Sequence, residues 1–208
     1  MSAEGSGAGA PSRLKILGVA DSDSYVKWGA ATLARAPREW DSTLVVVDSP
    51  FVPTPAQRAA AVDGLAEAEP PVLSLAALAE LVAREQPDVV FLSLRGPLIR
   101  VVLRAVLEVS GRRPILVSGL PGISIPATRK ALTFRSQVDL ILLHSKHELR
   151  DFPEVAQKLS LEQDFALATL PFFATTHRTD QPRDEIVFAA QAKVPRYRSE
   201  RVDRKSVV

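Results

Sequence analysis

Short apolar runs recur along this 208-residue chain, and segments with apolar residues at helical spacing separate them. The runs are rich in valine, isoleucine and leucine and do not alternate with polar residues, which is typical of strands covered on both faces. They predict a weak strand near 72–73 and six stronger ones, at 14–20, 43–47, 89–94, 114–118, 140–144 and 165–170.

Capping residues indicate where helices begin and end between these strands. Thr54 followed by Pro55 predicts a helix start, Ser74 can cap the next helix, and Gly111 can end a helix over 98–109. These signals place a helix after most of the predicted strands.

Three further helices complete the pattern. One is predicted over 25–34, one is entered near Pro126, and one covers 146–159 and is interrupted or restarted at Pro153. Strands that alternate with helices predict an α/β fold with right-handed crossovers, a Rossmann-like doubly wound parallel sheet.

The apolar pattern also divides the chain into unequal parts. We expect a disordered lead over 1–12, a Rossmann-like domain over 13–173 and a polar linker over 174–185. Residues 186–208 open a second α/β unit with one apolar run and then end in a charged tail that we expect to be disordered. We interpret the chain as one lobe of a two-lobed protein, with the second lobe truncated.

Composition and charge narrow the function classes. The chain has no cysteine, no secretory signal pattern and no apolar run of the ~20 residues that span a bilayer, so we expect a cytoplasmic protein.

Six bases against two acids in 193–208 leave residues 1–192 at a net charge of −2, so the basic pI of about 9.1 belongs to the tail. Nucleic-acid binding by the globular part is therefore not expected. Peripheral membrane contact stays open.

The first loop at the predicted carboxyl edge of the sheet carries two carboxylates, Asp21 and Asp23, and lacks the glycine pattern that cradles a pyrophosphate. Carboxylates at a helix start repel phosphate but can accept a proton from a sugar hydroxyl. We take both as candidate catalytic residues and add Ser22, Ser24 and Lys27 as candidate substrate-binding residues. The alternative is that Asp23 or Ser24 only caps the helix. Trp28, just inside it, fits core packing better than sugar stacking.

The loop GLPGISIPATRKA, residues 119–131, has two glycines and two prolines that fix its path between a strand and a helix. A rigid loop with hydroxyl and basic side chains suits a binding surface. The candidates for substrate binding are Gly119, Gly122, Ser124, Thr128 and Lys130. The alternative is a tight connection whose bases, Arg129, Lys130 and Arg135, are solvated.

Two other strand ends carry candidates for substrate binding. Arg95 can bind an anion or pair with a carboxylate. His144 can face a substrate or simply end its strand. The H-x-x-H spacing of His144 and His147 is a poor zinc signal, so no metal and no cofactor are expected.

At these residues the sequence resembles an actinobacterial family of unknown function described as "putative glycosyltransferases". The matching motifs are DSDSYVKW (21–28), GLPGISIPATRKA (119–131), FRSQVDL (134–140), LLHSKHE (142–148) and FAAQAKVPR (188–196). Members look like two-domain GT-B proteins, in which the N-terminal half holds the acceptor and usually the catalytic base and the C-terminal half binds the nucleotide sugar.

The resemblance implies the acceptor-binding lobe of a GT-B glycosyltransferase, which moves a sugar from a nucleotide sugar to a glycan or small-molecule acceptor. The donor would be bound mainly by the second lobe, so we expect the 208-residue chain alone not to be a working transferase. Two alternatives stay open: half of a sugar-nucleotide epimerase, and a non-catalytic α/β binding module.

Overall fold

The structure, a computed structural model, describes residues 13–66 and 68–170. Seven parallel strands form one sheet in the order β3-β2-β1-β4-β5-β6-β7. The strands are β1 (Lys15–Ala20), β2 (Asp41–Val47), β3 (Val72–Leu73), β4 (Val89–Ser93), β5 (Ile115–Gly119), β6 (Leu140–Leu143) and β7 (Asp164–Leu167). The helices are α1 (Asp23–Leu33), α2 (Pro55–Val62), α3 (Leu75–Glu85), α4 (Gly96–Val109), α5 (Arg129–Phe134) and α6 (Lys146–Lys158). The predicted α/β class and the Rossmann-like parallel sheet are confirmed.

Alternate residues of the central strands belong to different core clusters, as the period of two in a strand requires. Leu17 and Val19 of β1 pack in the largest cluster, whereas Ile16 packs beside Trp28 and Phe91 in another. Apolar side chains therefore leave the sheet on both faces, which explains why the strand runs are continuously apolar.

The register of the strands brings four loops to one edge of the sheet. Ala20 pairs with Ser93, and Gly119 pairs with Leu142 in the neighbouring strand pair. The segments that follow β1, β4, β5 and β6 therefore lie side by side. Strand order reverses between β1 and β4, and in open α/β sheets ligands bind at such a switch point.

Two predicted helix starts are confirmed by their caps. Thr54 and Gln57 form a reciprocal capping box at α2, and the Ser74 hydroxyl accepts the Ala77 N–H at 3.1 Å. The predicted end of the helix over 98–109 is confirmed, because α4 ends at Val109, with Ser110 as its C-cap residue and Gly111 directly after it.

Other helix boundaries differ from the prediction. Helix α1 begins at Asp23 with Ser22 as its N-cap residue, so neither Asp23 nor Ser24 is the cap. Helix α5 begins three residues after Pro126, because the Thr128 hydroxyl accepts the Ala131 N–H.

The predicted break at Pro153 is wrong, because α6 runs through this proline. Its buried side chains Glu148, Phe152 and Ala156 recur every four residues, so one stripe of the helix stays anchored on the sheet on both sides of Pro153. This packing offsets the hydrogen bond that proline cannot donate.

Several expectations lie outside the described residues: the lead over 1–12, the linker over 174–185 and the segment 186–208. In the described part of the chain, no helix combines the length and the apolar character needed to span a bilayer.

Gly119 provides a test of the packing at the end of β5. A Cβ atom there would lie 2.7 Å from Trp28 Cη2 and 2.9 Å from the carbonyl oxygen of Leu142, whereas a Cβ at Gly122 would meet nothing within 4 Å. We expect Gly119→Ala to lower the free energy of unfolding by about 1–3 kcal/mol through overpacking, and Gly122→Ala to change it far less. Urea unfolding of both variants measures the difference. Equal losses of unfolding free energy in the two variants would contradict the close contact of Gly119 with Trp28 and Leu142.

Candidate functional site

A partly buried ion pair lies at the switch point between β1 and β4. Arg95 Nε donates to Asp21 Oδ2 at 2.8 Å, and the backbone N–H of Arg95 donates to Asp21 Oδ1 at 3.4 Å. The Asp21 side chain is 0% exposed and that of Arg95 is 31% exposed. Because the carboxylate is hidden behind the guanidinium, it is placed to orient Arg95 rather than to meet a ligand directly.

The Arg95 guanidinium is also held by an aromatic ring. Its central carbon lies 3.4 Å from the ring centroid of Phe51, in the loop between β2 and α2. A cation over a ring face at this distance is attracted by the ring quadrupole. Asp21 and Phe51 therefore fix Arg95 from two sides, and its fork can present donors to a ligand.

A second guanidinium, that of Arg135, lies beneath this edge and is only 2% exposed. Its donors reach the carbonyl oxygens of Leu94, Gly119 and Ala131 and the hydroxyl of Ser118, at 3.0–3.3 Å. Leu94 directly follows β4, Ser118 and Gly119 end β5, and Ala131 lies in α5. Arg135 is thus a structural tie and not the solvated base that its spacing from Arg129 and Lys130 suggested.

Tyr25, in the first turns of α1, lies between these charged groups. Burial raises the pKa of the Tyr25 hydroxyl, the nearby Arg135 opposes this shift and the Asp21 charge adds to it. The backbone carbonyl of Tyr25 also accepts the Ser93 hydroxyl at 2.6 Å, which joins α1 to the end of β4. At neutral pH the phenol therefore stays protonated and can donate a hydrogen bond.

The rigid loop after β5 is held by one buried carboxylate. Glu148, 1% exposed, accepts the backbone N–H of Ser124 at 2.6 Å and that of His144 at 3.1 Å. It also accepts the Ser145 hydroxyl at 3.0 Å, and that hydroxyl in turn caps α6. The position of Ser124 therefore depends on the start of α6.

His144 does not face a substrate with a free ring nitrogen. Its Nδ1–H donates to the Ala168 carbonyl at 2.8 Å, and its Nε2 accepts the Trp28 indole N–H at 3.1 Å. This bonding assigns the neutral tautomer protonated on Nδ1. Both nitrogens are therefore used within the protein, which favours the alternative that His144 simply ends its strand. Trp28 is fully buried, as expected.

The remaining predicted site residues separate into packed and surface positions. Gly119 is buried against Trp28, which favours a packing role over contact with substrate. Thr128 caps α5, and Asp23 forms a half-exposed ion pair with Lys27 at 3.0 Å. Ser24 and Lys130 are exposed, and Gly122 and Ser22 are partly exposed at the same edge. These surface positions stay candidate contacts.

Three residues of this edge were not predicted from the sequence: Phe51, Tyr25 and Glu148. Glu148 had a readable signal, because Ser145 and Glu148 have the S-x-x-E spacing of a capping box. Phe51 and Tyr25 become recognisable only when the loops after β1, β2 and β4 meet. Among residues 13–66 and 68–170, no group of three or more His, Asp or Glu could hold a metal ion.

A family model described as "Putative glycosyltransferase (DUF6716)" matches residues 16–204. The chain belongs to this family. None of the curated proteins matches the sequence.

A solved structure is also similar to the chain. It is a putative UDP-N-acetylglucosamine 2-epimerase from Listeria monocytogenes, 12% identical, with a TM-score of 0.49. The similarity covers 69% of this chain and 42% of that one, so the chain spans less than half the length of the epimerase.

Glu148 allows a test of how the loop after β5 is held. In Glu148→Gln the amide oxygen can keep the two donors of Oε2, His144 N–H and the Ser145 hydroxyl, while the NH₂ group takes the place of Oε1 and leaves the Ser124 N–H without its acceptor. We expect a loss of about 1–3 kcal/mol in the free energy of unfolding and faster hydrogen exchange at the Ser124 amide. Glu154→Gln, on the exposed side of α6, is the matched control. An unchanged rate of hydrogen exchange at the Ser124 amide would contradict the conclusion that Glu148 holds this loop.

Proposed function

We propose that the described domain is the acceptor-binding lobe of a glycosyltransferase that uses a nucleotide sugar as donor. The observation that carries this proposal is membership of the "Putative glycosyltransferase (DUF6716)" family over residues 16–204. The geometry adds support, because polar groups gather at the switch point of the sheet, where ligands of such folds bind.

The first loop favours an acceptor over a donor. It has no glycine-rich turn, and its α1 start carries Asp23 next to the buried Asp21. Two carboxylates at this position oppose a phosphate, whereas hydroxyl groups can donate to carboxylates and accept from Arg95. The nucleotide of the donor would therefore be held by residues outside the described domain.

The two aspartates take different roles in this proposal. Asp21 is a positioning residue, because it holds Arg95 and is screened from the edge. Asp23 is the better candidate for the base that accepts the hydroxyl proton, since its side chain is 37% exposed and, among the described residues, pairs only with Lys27. The transfer needs no metal or cofactor in this scheme.

Titration of the 208-residue chain tests the division of roles. In calorimetry we expect UDP-glucose, UDP-N-acetylglucosamine and GDP-mannose to show dissociation constants above about 1 μM, which corresponds to a binding free energy weaker than about 8 kcal/mol. Simple hydroxyl compounds, such as methyl glycosides and phenols, should instead shift the backbone amides at Arg95 and Ser22 in NMR spectra. A nucleotide sugar bound more tightly than micromolar would assign the donor site to this lobe and overturn the proposal.

A substitution at the ion pair separates orientation from general packing. Asp21→Asn removes the charge that fixes Arg95, so we expect the affinity for the best hydroxyl compound to fall at least tenfold. Asp41→Asn, at the exposed amino end of β2, is the control and should leave the affinity unchanged. Equal affinities of both variants and the parent chain would exclude Arg95 from the site.

A further inference from the structure

An open groove of about 390 Å³ runs along the carboxyl edge beside the proposed site. It lies between the loop after β2 and the first turns of α4. Asp21 and Arg95 lie at its polar end, and Phe51, Pro97, Leu98 and Val101 line its walls. The groove therefore joins the ion pair to an apolar surface.

Large apolar side chains that line this groove are exposed to solvent. Phe51 is 59% exposed and Val101 is 47% exposed, although α4 buries Ile99, Val102 and Leu103 on its other side. Small-molecule sites are mostly apolar with a few fixed polar groups, and this groove has that composition. A pyranose, which carries hydroxyl groups around its whole ring, would find few partners on these walls.

The polar end is fixed and electrically balanced. The buried Asp21 carboxylate neutralises Arg95, and Phe51 covers one face of the guanidinium. The hydrogen bonds of Arg95 within the described residues use its Nε and its backbone N–H. Its terminal Nη groups are then the donors that a ligand oxygen can reach from the groove.

We propose that this groove binds the acceptor through an apolar ring system that carries a hydroxyl oxygen, neutral at physiological pH, as in a phenol or an alicyclic alcohol. The ring lies against Phe51, Leu98 and Val101, and the oxygen accepts a hydrogen bond from Arg95. This inference rests on the proposed acceptor role and narrows it from glycans and metabolites in general to hydroxylated apolar compounds.

2-Naphthol is a suitable probe, because it combines a flat apolar body with one neutral hydroxyl group. We expect it to shift the amides of Leu98 and Val101 in NMR titrations and to bind at least tenfold more tightly than methyl β-glucoside. It should also bind more tightly than 2-naphthoate, whose charge the neutral ion pair does not balance. Tighter binding of the glucoside or of the naphthoate would overturn the proposal.

Two exposed wall positions allow substitutions with little risk to the fold. Val101→Glu should weaken 2-naphthol binding at least tenfold by placing a charge in the apolar wall. Phe51→Ala should weaken it at least fivefold, and Phe51→Tyr should restore it. Ile115→Glu is the matched control, because Ile115 is 54% exposed at the amino end of β5. Binding that is insensitive to Val101→Glu would place the ligand elsewhere.

These outcomes distinguish the two proposals. If methyl glycosides bind at Arg95 and 2-naphthol does not, the acceptor role stands and the apolar class is wrong. If a nucleotide sugar binds this chain more tightly than micromolar, the acceptor role itself is overturned.

Discussion

The carboxyl edge of this sheet depends on one buried cation. Arg135 donates to the carbonyl oxygens of Leu94 and Gly119 and to the Ser118 hydroxyl, which itself donates to the Leu92 carbonyl at 2.8 Å. In the described residues no carboxylate pairs with it, so neutral oxygens alone compensate the charge. Burial lowers its pKa, yet a guanidinium stays protonated at any physiological pH. A buried charge of this kind is tolerated only while all its hydrogen-bond acceptors stay in place. Arg135 therefore links β4, β5 and α5 and depends on the positions of their oxygen atoms.

The positions of the site residues depend on these hydrogen bonds of Arg135. Leu94, whose carbonyl accepts from Arg135, directly precedes Arg95, and Gly119 opens the loop that Glu148 holds from the other side. A shift of one strand end would move the ion pair and the loop together. These hydrogen bonds of Arg135 join residues 16, 17 and 41 positions apart in the sequence, and a site held in this way suits precise positioning of a ligand.

The sequence was sufficient for the sheet but only partly sufficient for the site. Continuous apolar runs and the capping residues Thr54 and Ser74 predicted the order of strands and helices, because these signals are local. The rule for parallel sheets also placed Asp21 and Arg95 at one edge. The sequence left two interpretations of Arg95 open, an anion site or an ion pair with a carboxylate. It could not decide between them, because the ion pair joins residues 74 positions apart and depends on strand register. Arg135 was misread because α5 ends at Phe134, so a residue at helical spacing turns inward.

The balance of charge at this edge bears on the proposed acceptor role. The donors of Arg135 are consumed inside the protein, Arg95 is neutralised by Asp21, and Asp23 adds a carboxylate at the start of α1. A diphosphate carries negative charge that none of these groups is free to balance, and surface ion pairs such as Asp23–Lys27 contribute little. A neutral hydroxyl needs only one donor and one acceptor, both of which the edge offers. The charges of the described edge therefore support the proposal that it binds an acceptor rather than the nucleotide of a donor.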